Sequence, residues 1–275
     1  MGKSFRGDFH VHSYKSFDAD QNFTVKDILA SASARELNQI ALTDHYDINF
    51  VLSGENDDID FAETKKEIDA AKAEIQTDTE FLLGIELGQP NQFPEKANKT
   101  LEENNFDYVL CSLHNARNEQ DFYFIDYKNC DILHLIDIFG RYTTELLELA
   151  EWGNFHTLAH ITYPIRYFVV NNIHIPMAKY EDIYRELFKI LMRRGIALEV
   201  NTSGLRKRIN ATSPSFDLLK IYKEMGGELI ILGSDAHNTS DVYSGVQFAS
   251  DHLKDIGFKY ICGIKDKKLY PQKLE

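Results

Sequence analysis

Six of the ten histidines in this chain close short apolar runs: His10, His12, His45, His114, His160 and His237. Glu86 and Asp235 end or interrupt such runs in the same way. The runs read F-H-V-H at 9–12, I-A-L-T-D-H at 40–45, F-L-L-G-I-E at 81–86, Y-V-L-C-S-L-H at 108–114, T-L-A-H at 157–160 and I-I-L-G-S-D-A-H at 230–237. A seventh, I-A-L-E-V-N at 196–201, ends in Asn201. One such histidine is most often a hydrogen-bonded core residue. So many imidazoles and carboxylates at equivalent positions are costly to bury unless cations neutralise and coordinate them. Nitrogen and oxygen donors without thiolate suit Zn²⁺, Mn²⁺ or Fe²⁺ better than Ca²⁺ or Mg²⁺. The donors exceed what one ion can accept. About two or three divalent transition-metal ions, bridged by a carboxylate such as Glu86, fit the number.

An apolar run closed by a chemically active residue is how a parallel barrel strand reaches the mouth at its C-terminal face. His10 and His12 are two apart on a strand, so both are expected to face the barrel interior, with Phe9 and Val11 outward. Asp235 and His237 share that spacing. Helical periods separate the strands. One follows Thr24, a candidate N-cap, through Val25, Ile28, Leu29, Ala32 and Leu37. Others cover 61–75, 131–151, 177–194 between Pro176 and Gly195, 213–225 and 240–256. Strand and helix alternate from end to end, which predicts a parallel sheet with helical crossovers and one domain over 1–275. The connections 89–100 and 115–129 read as long loops on the mouth side. A short final strand is expected at 260–264. His156 would lie on the strand of His160 but one layer deeper, and His134, His174 and His252 fall in helices or loops. All four read as structural or surface residues.

The 275 residues fit one large α/β barrel or two modest domains, and they bury enough surface to need no disulfide. The three cysteines are odd in number, without C-x-x-C spacing, and Cys111 sits inside an apolar run. Reduced cysteines predict a cytoplasmic protein. A strand predicted within the first ten residues leaves no room for a signal peptide, and Arg6 stands where a Met1-Gly2 myristoylation motif needs Ser or Thr. No stretch is long enough to cross a bilayer. The net charge of −13 argues against nucleic acid as a partner.

Taken together, H-V-H at 10–12, T-D-H at 43–45, G-I-E at 84–86, S-L-H at 112–114, A-H at 159–160 and G-S-D-A-H at 233–237 make the chain resemble the polymerase-and-histidinol-phosphatase (PHP) family. The resemblance spans nearly the whole chain and implies an α/β fold, a distorted seven-stranded (β/α)₇ TIM-like barrel. It implies nine metal ligands: His10, His12, His45, Glu86, His114, His160, Asp235, His237 and, six residues after the second His of H-x-H, Asp18. Asp20 is a local competitor, and Asp18 could instead cap the next helix. Within the family, E-V-N-T-S-G-L-R-K at 199–207 and Arg166 in Y-P-I-R resemble the histidinol-phosphate phosphatase branch. Arg166 and Arg206 each follow a predicted strand end, and guanidinium matches phosphate oxygens in bidentate geometry. The alternative for either is a surface salt bridge. Arg117, just past His114, and Asn201 complete the expected substrate-binding set.

The resemblance implies hydrolysis of L-histidinol phosphate to histidinol and phosphate in histidine biosynthesis. The expected mechanism has hydroxide, shared by two cations, attacking phosphorus in line. Catalytic roles fall to Asp18, His45, Arg166 and Asp235, with Asp18 or Asp235 relaying a proton. The expected partner is a small phosphorylated metabolite. A phosphoesterase acting on nucleotides or phosphotyrosine peptides is the competing enzyme reading, and an inactive metal-binding barrel the non-enzymatic one. No G-x-S-x-G, C-x₅-R or P-loop offers another nucleophile or phosphate cradle.

Overall fold

Seven staves of parallel sheet, wrapped by helices, make up the computed structural model, which describes residues 4–49 and 59–274. Met1 and Gly2, weighed above for lipidation, lie outside the described residues. The strands are β1 (Gly7–Val11), β2 (Gln39–Leu42), β3 (His45–Asp47), β4 (Glu80–Gly88), β5 (Tyr108–Ser112), β6 (Thr157–Leu158), β7 (Ala197–Asn201) and β8 (Ile230–Gly233). They pair in parallel in the order β1-β2-β4-β5-β6-β7-β8, and β3 resumes the line of β2 beside β4. Between β8 and β1 the ring nearly closes. Val11 and Ala236 form a parallel bridge, the His12 amide donates to Ala236 at 2.9 Å, and the Asp235 amide donates to His10 at 2.8 Å.

The helices are α1 (Val25–Ala34), α2 (Phe61–Glu74), α3 (Pro94–Glu103), α4 (Ile132–Trp152), α5 (Tyr163–Val170), α6 (Glu181–Arg194), α7 (Phe216–Glu224) and α8 (Val246–Ile256). Thr24 caps α1 in a reciprocal capping box with Asp27, as its position ahead of the apolar period predicts. Gly195 and Gly257 end α6 and α8 in the left-handed conformation that glycine adopts without strain. None of the described helices is long and apolar enough to cross a membrane.

Two expectations need correcting. The connection at 89–100 is no open loop: a 3₁₀ turn at Pro90–Gln92 leads into α3, whose first turn holds Pro94. Proline suits a first turn, where its missing N–H has no intrahelical partner to lose. Phe9 does not face outward with Val11. The β1–β2 register shifts between Asp8 and Val11, and this irregularity puts Phe9 in one cluster with Ala41, Leu82, Tyr108, Leu110, Ala197 and Ile231. Its ring meets Tyr108 edge-on at 5.7 Å. Val11, Ile40, Leu42, Leu83 and Ile85 belong to the other cluster, packed with helix residues such as Ile28, Leu29 and Ile68.

The final strand expected near 260–264 is real and has a partner. β9 (Tyr260–Lys265) pairs antiparallel with β10 (Lys268–Lys273). Cys262 and Ile264 of β9 join the Phe9 cluster, and Gln39 exchanges hydrogen bonds with the backbone of Ile264 at 2.6 and 3.0 Å. The hairpin thus stoppers one end of the barrel with apolar side chains.

Candidate metal centre

Alternation along β4 sends Leu82, Gly84 and Glu86 to one side, and Glu86 ends up fully buried among the histidines. Its Oε2 faces His10 Nε2 at 3.1 Å, His12 Nε2 at 3.4 Å and His45 Nδ1 at 2.9 Å. Its Oε1 faces His114 Nε2 at 3.1 Å and His160 Nε2 at 3.0 Å. Asp18 completes the rim, 3.1 Å from His237 Nε2 and 3.6 Å from His45 Nε2. Asp235 lies 3.6 Å from His12 Nε2 and 3.5 Å from His237 Nδ1. Strand ends as far apart in sequence as His10 and His160 therefore meet at one carboxylate, and His237 joins the cluster through Asp18 and Asp235.

A second tier of side chains fixes the rings. Nδ1 of His10 bonds Glu199 at 2.6 Å, that of His114 bonds Asp47 at 3.2 Å, and that of His237 bonds the Asp235 carbonyl at 3.0 Å. His12 Nδ1 meets Ser16 Oγ at 3.0 Å, and Ser16 in turn donates to Asp44 at 2.8 Å. Each ring that donates from Nδ1 keeps its Nε2 lone pair for the centre, the tautomer a metal ligand needs. Glycine is required where these tiers touch. A Cβ on Gly233 would collide with Glu199 and His10, and one on Gly88 with the Asp47 carboxylate. Asp235 itself holds φ at +54°, a left-handed conformation fixed by the hydrogen bond from its amide to His10.

The donors fit divalent ions. His12 Nε2, His45 Nδ1 and His237 Nε2 are buried and make no hydrogen bond. Each nevertheless faces a carboxylate oxygen at 2.9–3.4 Å, an arrangement suited to a cation between them. Four donor triads among the described residues, His12–His45–His237, His10–His12–Glu86, His45–Asp47–His114 and Glu86–His114–His160, each lie within 4.8 Å, and each shares a residue with another. Electrostatics agree. Burial opposes charge on His10, but Glu199, Glu86 and Asp235 override it and hold its pKa well above the histidine range. Burial likewise loses to Glu86 and Asp18 at His45, while at His114 Asp47 and Glu86 bring the value up to about 10. His12, pressed by burial and by His237 and His45, goes well below. Despite burial, Glu86 and Asp235 stay far under ordinary carboxylate values because imidazoles surround them. The carboxylates favour positive charge among the rings, whether from protons or from metal.

The centre opens into a cavity of about 230 Å³ lined by Asp18, His45, His114, His160, Asp235 and His237 and by Arg166, Arg206, Lys207 and Asp121. Arg166, on α5, is only 9% exposed. Its Nη1 pairs with Asp235 at 3.3 Å, its guanidinium lies 4.8 Å over the Tyr163 ring, and its Nη2 has no hydrogen-bond partner. Arg206 donates to the Ser234 and Asp235 carbonyls at 2.9 and 3.2 Å and pairs with Asp241 at 3.3 Å. A second cavity of about 440 Å³ also reaches Arg166, but apolar groups such as Ile165, Leu218 and Ile221 dominate it and it contains no histidine.

A profile of the PHP domain matches residues 8–203. The chain belongs to the PHP domain family. It is 27% identical over 269 residues to a probable histidinol-phosphatase of Thermotoga maritima, covering 97% of this chain and 99% of that one. It is 26% identical over 270 residues to the histidinol-phosphatase of Lactococcus lactis subsp. lactis, covering 95% of each. In structure it is similar to L. lactis histidinol phosphate phosphatase complexed with zinc, L-histidinol and phosphate. That match has a TM-score of 0.80 at 23% identity and covers 96% of this chain and 98% of the other.

All nine ligands expected from the PHP motifs converge on this one site. Asp18 rather than Asp20 faces the imidazoles; Asp20 instead accepts from the Asn22 amide in an exposed turn. Two of the expected substrate-binding residues are placed elsewhere. Arg117 turns outward, where it is 44% exposed and pairs with Glu148 on α4 at 3.0 Å. Asn201 is fully buried behind the site: its amide donates to Asp235 at 3.3 Å and its oxygen accepts from Ser203, so it braces a rim residue. Sequence reasoning missed Glu199 and Asp47. Both had a readable signal, since Glu199 is two residues before Asn201 on β7 and Asp47 two after His45 on β3, on the same strand faces.

Proposed function

We propose that this protein is a histidinol-phosphatase of histidine biosynthesis, hydrolysing L-histidinol phosphate to L-histidinol and phosphate. The observation that carries this reading is the convergence of six imidazoles and three carboxylates beside a buried arginine in one small cavity. The relatives' names, over nearly the full length of the chain, point to the same substrate. Divalent ions bound here, about two or three in number and Zn²⁺, Mn²⁺ or Fe²⁺ in kind, supply charge that stabilises phosphoryl oxygens and makes water more acidic.

The chain's own residues do the rest. His10, His12, His45, His114, His160 and His237 supply neutral nitrogen donors, and Glu86, Asp18 and Asp235 balance the cationic charge. Arg166 grips the phosphoryl group with the guanidinium edge that lacks a partner. Arg206, anchored by two carbonyls and Asp241, adds fixed positive charge at the rim. Asp18 and Asp235, which both line the cavity, are the candidate proton relays to the leaving oxygen. Kinetics test the reading. Chelation should abolish phosphatase activity and Zn²⁺ or Mn²⁺ should restore it, with histidinol phosphate turned over far faster than nucleoside monophosphates or phosphotyrosine. Activity that survives metal removal, or a flat substrate profile, would reject it.

A further inference from the structure

Two cavities meet at one side chain. The metal cavity and the apolar cavity of about 440 Å³ share Arg166 and no other residue among those described. The apolar one lies between α5, the starts of α6 and α7, and the connection after β7. Ile165, Met177, Leu218 and Ile221 wall it, and each is only half-buried. Its size falls in the usual range for small-molecule sites, about 300–1,000 Å³.

Charge narrows the ligand. The carboxylates that line this cavity are already matched: Glu181 pairs with Arg185 at 2.7 Å and Asp217 with Lys220 at 3.0 Å. The Thr162 and Ser213 hydroxyls bond each other at 2.7 Å. Arg166 is the one cationic side chain among the described lining residues, and it is nine-tenths buried. Asp235 takes its Nη1, while Nη2 has no hydrogen-bond partner. A buried guanidinium edge left unpaired is costly unless an anion faces it. Aliphatic walls around a single such group suit a small anion with an apolar tail.

We propose that this cavity is a second ligand site, which takes an apolar carboxylate whose charged end pairs with Arg166. The phosphatase reading above gives the same guanidinium edge to the phosphoryl group, so the two anions exclude each other. An occupant of the apolar cavity therefore inhibits from outside the metal centre. By linkage, phosphate weakens binding of the occupant by the same factor.

Octanoate is the probe. Acetate carries the same carboxylate without the tail, and 1-octanol the same chain length without the charge. Calorimetric titration of the metal-loaded protein should show one octanoate site, with acetate and 1-octanol each about 10-fold weaker or more. Saturating inorganic phosphate should weaken octanoate by about 5-fold or more, and octanoate should raise KM for histidinol phosphate to match, with kcat unchanged. Leu218→Trp, which fills the cavity from α7, should abolish both effects and leave turnover without octanoate normal. Acetate or 1-octanol matching octanoate, octanoate binding indifferent to phosphate, or inhibition that persists in Leu218→Trp would each overturn the proposal. Should that variant fail to fold, the three probes on wild type decide. The titrations need no turnover, so a flat substrate profile would reject the phosphatase reading and leave this site standing, whereas failure of the probe series removes this site alone.

Discussion

The two ends of the barrel use the same residue type to opposite effect. At the floor, His156 accepts from the Val109 amide at 2.9 Å through Nδ1 and reaches the Lys267 carbonyl at 2.9 Å through Nε2. Both nitrogens are satisfied by backbone, and the ring stacks on Tyr108 at 5.8 Å. At the mouth, four residues further along, His160 leaves Nδ1 without a partner and turns Nε2 toward Glu86. The floor hides an apolar stopper of Phe9, Tyr108, Cys262 and Ile264, and the mouth buries carboxylates in their place. A histidine whose nitrogens are both matched by backbone contributes to the fold. One left facing a buried carboxylate is reserved for a ligand.

Four substitutions or titrations would break or sharpen this contrast. The largest effect is expected from Glu86→Gln, because one carboxylate faces five imidazoles. Metal content should collapse and phosphatase kcat/KM should fall on the order of 10³-fold, the scale of losing a main electrostatic stabiliser. Full metal content and normal turnover would remove Glu86 from the centre. Glu199→Gln should be milder, weakening metal affinity by roughly 10- to 100-fold through the orientation of His10; equilibrium dialysis with zinc would show it.

The third concerns protons. Against the effect of burial, the carboxylates around His10, His45 and His114 raise their pKa values, so protons compete with metal for these nitrogens. Zinc affinity should therefore rise with pH and decline in acid. Calorimetric titration in buffers of different ionisation enthalpy should register proton release, and binding without release would contradict the charge assignment. Smallest of all, His156→Ala should cost about 1–2 kcal/mol in denaturant unfolding, for two lost hydrogen bonds, and leave metal content and turnover unchanged.

Much of the centre could be read from the chain because its residues sit at strand ends, where an apolar run stops at a polar residue. His45, Glu86 and His114 announce themselves that way, and so does the alternation of strands and helices. Glu199 obeys the same rule, but it falls inside a run whose visible end is Asn201, and the wrong polar residue of the pair drew attention. Asp121, which lines the cavity, lies in irregular chain, where its acidic type can be read but no period connects sequence to direction. Arg117 misled through proximity: three residues past His114 the backbone has already turned toward α4 and Glu148. The outward assignment of Phe9 failed because strict alternation assumes an unbroken register, which β1 does not keep.

The central claim is that Glu86 gathers the imidazoles around shared divalent ions, and anomalous diffraction at the zinc edge tests it most directly. Crystals grown with zinc should show more than one peak in contact with Glu86, His12 and their neighbours, and those peaks should vanish in Glu86→Gln crystals. Zinc bound only at surface carboxylates, with the imidazoles still paired to Glu86, Asp18 and Asp235 alone, would contradict the account.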